Sequence, residues 1–152
     1  MGKSAKLGQA PNAPAFSASR TTHQSFASGY WTKVQCATEA FDTASAYDAD
    51  TNHRFQPQVA GYYQVNGNVY ITGSAIANVG AQIYKNGAAD KLGSFAGPPS
   101  SQTEAAASVS GLIYLNGSTD YIELFGYTNA TSPAFAGGAN LNHFEACLVR
   151  PA

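Results

Sequence analysis

Three groups of side chains in this 152-residue sequence have the types that chemistry needs. Asp48, Asp50 and Asn52 form D-x-D-x-N, which is how a calcium-binding EF-hand loop begins. That loop needs Gly at its sixth position and Glu at its twelfth, where this chain has His53 and Val59. We therefore interpret the segment as a turn held by its own Asp and Asn side chains.

The histidines and cysteines show no metal-ligand or catalytic spacing. His23, His53 and His143 are isolated, without H-E-x-x-H or C-x-x-C neighbours, so we expect polar roles at the surface or at an interface. Cys36 and Cys147 are the only cysteines and do not make a disulfide framework. We interpret them as two buried thiols that pack as small hydrophobic groups.

Catalytic motifs are also missing from the sequence. It contains no G-x-S-x-G and no P-loop, and its nine carboxylates are scattered, with Glu104, Asp120 and Glu123 on predicted strands or turns. We therefore predict no enzymatic activity, no catalytic residue, no metal site and no cofactor.

Aromatic residues in or near predicted loops are the remaining candidates for ligand binding. Trp31, Phe95 and Phe135 could stack on a sugar ring, as could Tyr30. The alternative is that these rings anchor loops or pack between subunits, which is the more common role of aromatic residues.

Composition excludes several classes of protein. Charged residues make up 11% of the chain, against about 25% in a typical globular domain, and the net charge is −1. The eight basic residues are scattered from Lys3 to Arg150, so we expect no nucleic-acid partner. No run of 18 apolar residues is present, and the start lacks the apolar core of a secretory signal, so we expect neither a membrane span nor export.

Hydrophobic periodicity indicates strands and turns. Residues 1–14 read as an extended arm, and residues 15–152 as one domain. Residues 62–72 alternate apolar and mostly polar side chains, with Gly67 on the apolar face, and 103–109 and 142–149 also read as strands. About eight to ten short strands predict an all-β antiparallel sandwich or jelly roll.

Two Asn-Gly dipeptides predict hairpin turns. Asn86-Gly87 follows one strand, and Asn116-Gly117 separates 108–115 from 119–128, which we predict to be adjacent antiparallel strands. The segments 93–102 and 128–138 read as loops.

One strand suggests contact between subunits. In 121–127, YIELFGY, both faces are apolar, so the face away from the core needs a cover, and aromatic residues are enriched in subunit contacts. The predicted interface residues are Tyr62, Tyr70, Tyr121, Phe125, Tyr127 and His143.

At four places the sequence resembles the C1q/TNF-like jelly-roll superfamily, in the form found in phage structural proteins. These are AFSASR, YDADTNHRFQPQVAGYYQVNG, NGSTDYIEL and NHFEACLV, in the family's order. Val59-Ala60 stands where the family has Val-Pro, and Ala146 and Cys147 replace a usual Gly and aromatic residue.

The resemblance implies a jelly roll of about ten strands that assembles as a homotrimer. It also places Cys36 and Cys147 in strands that can be neighbours, which keeps a disulfide open as an alternative. Some C1q-like trimers bind calcium near the threefold apex, so a looser calcium site at Asp48 stays open as well.

Two functions follow as expectations. The first is a head decoration or cement protein on a tailed-phage virion, made in the cytoplasm of the host bacterium and bound to partners such as the major capsid protein. It would attach through its trimer base and its arm, with Lys3, Lys6, Pro11 and Pro14. The second is a receptor-binding adhesin that recognises a host surface glycan or protein through the loops with Phe95 and Phe135.

Overall fold

The computed structural model describes residues 13–97 and 102–152, and within them it contains strands and no helix. The strands form two antiparallel sheets. Sheet A contains β1 (Ala15–Ser19), β2 (Gln24–Ser25), β4 (Thr38–Asp42), β7 (Ala60–Ile76), β10 (Gln102–Asn116), β12 (Thr131–Phe135) and β13 (His143–Pro151). Sheet B contains β3 (Thr32–Lys33), β5 (Tyr47–Asp48), β6 (Arg54–Phe55), β8 (Val79–Lys85), β9 (Ala88–Ala96) and β11 (Ile122–Thr128).

Strand β7 is the centre of sheet A. One edge of β7 pairs with β10, and the other pairs with β13 along its first half and with β12 along its second. Strands β1 and β4 continue the sheet beyond β13, and β2 lies beyond β12. Sheet B has the order β5-β6-β11-β8-β9, with β3 beside β11. This is the antiparallel jelly-roll sandwich that the sequence predicts.

The core lies between the inner faces of the two sheets. On β7 the alternation places Tyr63, Val65, Val69 and Ile71 inside, with no exposed surface. A Cβ at Gly67, on the same face, would stand 2.5 Å from Leu124 Cδ1, so glycine is needed there for close packing of the sheets. The prediction for this strand and for Gly67 is confirmed.

Aromatic rings fill one end of the core. Phe16 on β1 stacks on Tyr47 and on Phe55, with ring centroids 4.6 and 4.5 Å apart, and meets the edge of Phe144 at 5.0 Å. Because these rings come from both sheets, they join the two layers. The Tyr47 hydroxyl satisfies its hydrogen bond on the Cys36 carbonyl at 2.8 Å, as a buried polar group must.

The two Asn-Gly dipeptides have different roles. Asn86-Gly87 joins the paired strands β8 and β9, and both residues have positive φ, at 53° and 77°, as the predicted hairpin requires. Asn116-Gly117 instead carries the chain from sheet A to sheet B. Strand β10 pairs with β7, and β11 pairs with β8, β3 and β6, so the predicted pairing of 108–115 with 119–128 is wrong.

Asp120 and Asn116 close this crossover locally. The Asn116 Oδ1 accepts the backbone N–H groups of Ser118, Thr119 and Asp120, each at 3.0 Å. The Asn-Gly dipeptide thus forms a turn without placing the flanking strands side by side. For this reason the prediction that 108–115 pairs with 119–128 was wrong.

Predicted loops contain strand residues. Strand β9 continues to Ala96, and β12 occupies 131–135 inside the predicted loop 128–138. The predicted strands at 103–109 and 142–149 lie within β10 and largely within β13, respectively. None of the described residues forms a helix long and apolar enough to cross a membrane.

Candidate interaction surfaces

The outer face of sheet A carries an exposed apolar patch at one end. Tyr62, Leu112, Tyr114 and Val149, here called the sheet A patch, are 43%, 52%, 43% and 60% exposed. Tyr62 and Tyr114 face each other across β7 and β10 with ring centroids 5.5 Å apart. A groove of about 530 Å³ adjoins this patch. It is lined by Tyr62, Leu112 and Val149, together with Arg150, Pro151 and Ala152.

A polar ladder follows the patch along the same face. Gln64 Nε2 donates to Ser110 Oγ at 3.0 Å, and Ser110 donates to Asn66 Oδ1 at 3.0 Å. Ser108 donates to Asn68 Oδ1 at 2.7 Å. The side chains thus hold one another in place across β7 and β10, which gives this face a fixed polar pattern beside its apolar end.

The outer face of sheet B carries an aromatic cluster. Trp31, Phe95 and Tyr127, here called the aromatic trio, have ring centroids 5.4 to 6.2 Å apart, with planes tilted by 40° to 43°. They surround Gly80 on β8, where a Cβ would stand 2.6 Å from Phe95 and 2.8 Å from Trp31. The absence of a side chain at Gly80 therefore makes room for the trio.

Further rings continue this face along β8 and β11. Tyr84 and Phe125 stack with centroids 3.8 Å apart, and the Arg54 guanidinium lies over the Tyr121 ring at 4.4 Å. Phe125 and Tyr127 thus make the outer face of β11 aromatic, as predicted, beside the ion-paired Glu123, and the chain's own rings from neighbouring segments pack on this face.

The predicted interface residues do not form one surface. Tyr62, Tyr70 and His143 belong to sheet A, whereas Tyr121, Phe125 and Tyr127 lie at or on β11 of sheet B. The outer faces of the two sheets point away from each other, so one contact cannot use all six. Their role in a trimer stays a prediction.

The ligand-loop candidates separate into two groups. Trp31 and Phe95 come together in the aromatic trio, and Phe95 is 50% exposed. Phe135 is wholly buried on β12, where it stacks on Phe26 at 4.3 Å and covers Gly126, so its assignment as a ligand contact is wrong. Its alternating strand position, shared with Pro133, was the signal for burial.

Sequence reasoning missed Tyr127 and Gly80 as partners of Trp31. Tyr127 was assigned to a subunit contact, and Gly80 carries no side chain that could attract attention. Alternation along β11 does place Tyr127 on the outer face, but only the pairing of β8 with β9 brings Gly80 beneath Phe95.

A partly buried ion pair joins β3 to β11. Lys33 Nζ lies 2.5 Å from Glu123 Oε1, whose side chain is 7% exposed, and also donates to the Asn52 carbonyl at 3.0 Å. His53 packs beside it, and burial, with Lys33 nearby, lowers the pKa of its imidazole. The neutral imidazole avoids a second buried cation next to Lys33.

The D-x-D-x-N segment forms the predicted turn between β5 and β6. The Asp48 carboxylate accepts from the Thr51 backbone at 2.9 Å, from Asp50 at 3.2 Å and from the Asn52 side chain at 2.6 Å. These hydrogen bonds, that of the Thr51 backbone first, lower the pKa of Asp48 to about 2. In the described ranges, no three His, Cys, Asp or Glu side chains cluster as metal ligands.

The cysteines lie on opposite sides of sheet A and are both free. Cys36 is buried in the core, and burial raises the pKa of its thiol to about 12. Cys147 is exposed on β13, beside Gln64, so the prediction of a buried thiol is wrong for Cys147. Of the predicted arm contacts, Pro14 accepts a hydrogen bond from the Leu148 backbone at 2.9 Å, and Lys3, Lys6 and Pro11 lie outside the described residues.

Comparison with known proteins supports the fold. The chain is similar to murine APRIL at pH 5.0, with a TM-score of 0.68 and 12% identity over 90% of this chain and 99% of that one. It is also similar to Eiger TNF from S. frugiperda, with a TM-score of 0.65 and 10% identity over 92% and 93%. No family model and no curated protein sequence matches. The chain therefore has a TNF-like jelly-roll fold, as the sequence resemblance implies.

Proposed function

We propose that this chain is a non-enzymatic homotrimer on the surface of a tailed-phage virion, where it decorates the head. The observation that carries the proposal is the sheet A patch, Tyr62, Leu112, Tyr114 and Val149, on the outer face of sheet A. Contiguous exposed apolar patches on soluble proteins mark interaction sites. The TNF-like fold and the phage-type sequence resemblance support three copies and the virion setting.

The surface chemistry suits permanent association. Only 11% of the residues are charged, so few ions would lose water when the copies come together. Contacts of this kind depend little on ionic strength, since salt screens charges and not apolar burial. A trimer bound only to the assembled shell stabilises that shell by linkage.

The oligomeric state is tested by placing a charge in the sheet A patch. Tyr62→Lys puts an ammonium group where the proposed trimer buries a ring, and we expect light scattering at micromolar concentration to fall from three times 15.8 kDa to one. Tyr30→Lys is the matched control, since Tyr30 is 68% exposed near sheet B and should leave the trimer intact. A wild-type monomer would refute the trimer.

The virion location is tested with antibody-gold labelling of intact particles of the phage that encodes the chain. Gold over the head supports decoration, and its loss when residues 1–12 are deleted supports attachment through the arm. Gold at the tail tip supports the adhesin instead, and unlabelled particles, with a positive control, refute the virion assignment.

The second candidate is a receptor-binding adhesin, and the aromatic trio on sheet B favours it. Sheet B faces away from sheet A, so a trimer formed through sheet A leaves three copies of the trio accessible. Three weak sites on one trimer gain avidity on a surface that repeats its ligand.

A further inference from the structure

The aromatic trio has the tilted geometry that is usual for packed aromatic rings, but it stands at the surface of sheet B. Its rings are tilted and spaced 5.4 to 6.2 Å apart, so they do not stack face to face on each other. Phe95 keeps half of its surface exposed, and Trp31 and Tyr127 keep part of theirs. Rings arranged in this way offer apolar faces to a molecule from outside.

Unused hydrogen-bonding groups border these ring faces. Within the described part of the chain, Trp31 Nε1, the Tyr127 hydroxyl and the Gln82 amide make no hydrogen bond to protein, whereas the hydroxyls of Tyr47 and Tyr63 do. A ligand for this site therefore has an apolar face to stack on rings and polar groups at its edge. A pyranose has C–H bonds on its face and hydroxyls around its rim.

Charge selects among such ligands. Every charged side chain on the four strands that border the trio, β3, β8, β9 and β11, is in an ion pair, and Arg54, farther along this face, lies over the Tyr121 ring. The pairs are Lys33–Glu123, Lys85–Asp120 and Lys91–Asp90. Polyanions such as nucleic acids or sulfated glycans would find no cationic partner here.

Size separates a glycan from a protein partner. The trio consists of three rings with centroids 5.4 to 6.2 Å apart, whereas a stable protein interface buries about 800 Å² on each side. Leu92, the next large exposed side chain on β9, is the cross-strand partner of Gln82, whereas Phe95 is that of Gly80. The built feature is therefore a small aromatic platform.

We propose that the aromatic trio, with Gly80 as its floor, is a binding site for a neutral glycan. This assignment rests on the proposed function in one respect only, which is that a homotrimer would carry three copies of the site. Trp31 and Phe95 stack on the sugar, Tyr127 closes the platform, and Gln82 and the Trp31 N–H hold hydroxyl groups. Recognition of this kind binds without a covalent step.

The single tryptophan makes the test specific, because all tryptophan fluorescence of the chain comes from Trp31. The probes are neutral hexasaccharides of glucose, galactose, mannose and N-acetylglucosamine, the neutral polysaccharides of the host envelope, and heparin as the polyanion. We expect a saturable change in Trp31 emission with a neutral glycan and none with heparin, confirmed by calorimetry.

Two variants locate the site. Phe95→Ala removes one stacking face, and we expect about a tenfold loss of affinity by calorimetry. Phe41→Ala is the matched control, because it makes the same substitution at a ring that is 51% exposed on β4 of sheet A, and it should change affinity less than twofold. A response to heparin alone, no response to any neutral glycan, or equal effects of the two variants would overturn the assignment.

Failure of the proposed function gives a different result. If the wild type scatters light as a monomer and yet binds a neutral glycan through Phe95, the trimer is refuted and the glycan site stands. If the trimer forms without any glycan response, the platform is refuted and the trimer stands.

Discussion

Strands β9 and β10 approach so closely at Gly93 that a single methyl group should separate them. A Cβ at Gly93 would stand 2.5 Å from Val109 Cα and inside 3.0 Å of the Ser108 carbonyl oxygen. Both are backbone atoms of β10, and ordinary contact begins at 3.4 Å, so Gly93→Ala forces the strands apart by about 1 Å. No rotamer change can relieve such a contact.

The expected cost follows from this geometry. Overpacking of a well-packed interior costs about 1–3 kcal/mol when side chains can shift. Because backbone must move here, we expect Gly93→Ala to lower the free energy of unfolding by about 3 kcal/mol. Val109 lies on the inner face of β10, so the displacement also opens the core.

Gly111→Ala is the matched control, because it makes the same substitution on the facing strand. The three atoms nearest to its Cβ would belong to the Lys91 side chain, at 3.2 to 3.7 Å, and this side chain can rotate away. We expect a change within about 1 kcal/mol of the wild type, with the lower entropy of the unfolded chain acting as a stabilising term.

Urea unfolding at one fixed protein concentration measures both variants, since an oligomer's stability depends on concentration. The midpoint of Gly93→Ala should fall well below that of Gly111→Ala, with similar m-values. Equal midpoints would show that β9 moves freely relative to β10 and would refute the argument from close approach.

Three other predictions concern thiols, a carboxylate and the core. At pH 8 a maleimide should label Cys147 at least about 1000-fold faster than Cys36, because the raised pKa of Cys36 leaves almost no thiolate. Mass analysis that finds a disulfide between the two cysteines would contradict this prediction. The hydrogen bond from Asn86, with Lys85 nearby, lowers the pKa of the Asp120 carboxyl below its ordinary value of 3.8. The stabilisation that the ionised Asp120 gives to the folded protein is therefore present above pH 3.8 and is lost as the pH falls through the folded-state pKa. Asp120→Asn should therefore be less stable than wild type at pH 7, and urea unfolding at pH 3 should show a smaller difference. Phe135→Ala should lower the free energy of unfolding in urea by about 3–5 kcal/mol and leave the Trp31 emission of the folded protein unchanged. If Phe135 were an exposed ligand contact, the substitution would change the free energy of unfolding little.

Periodicity predicted the central strand because β7 is buried on one face from Gly61 to Ile71. Tyr63, Val65 and Val69 repeat every second residue, which is the signal that a half-buried strand leaves in a sequence. The hairpin at Asn86-Gly87 was predicted for a similar reason, because positive φ at two successive residues is a local requirement.

Pairing between distant strands could not be predicted in this way. Asn116-Gly117 has the same local chemistry, but β10 pairs with β7, fifty residues earlier in places, and β11 belongs to the other sheet. Exposure of Cys147 likewise depends on which neighbours cover β13. The aromatic trio depends on three separate segments meeting over Gly80, which no spacing in the sequence records.

The two Asn-Gly turns also bear on how the protein ages chemically. Asn-Gly is the dipeptide most prone to deamidation, because the glycine backbone nitrogen can attack the asparagine carboxamide with little hindrance. Here Asn86 donates to Asp120 at 2.8 Å and accepts from the Tyr121 backbone at 3.0 Å, and the Asn116 oxygen accepts three N–H groups. Neither carboxamide can rotate into the attacking geometry while the turns are intact. The fold that uses these residues in turns therefore also protects them from deamidation. Isoaspartate accumulates only as fast as the turns open.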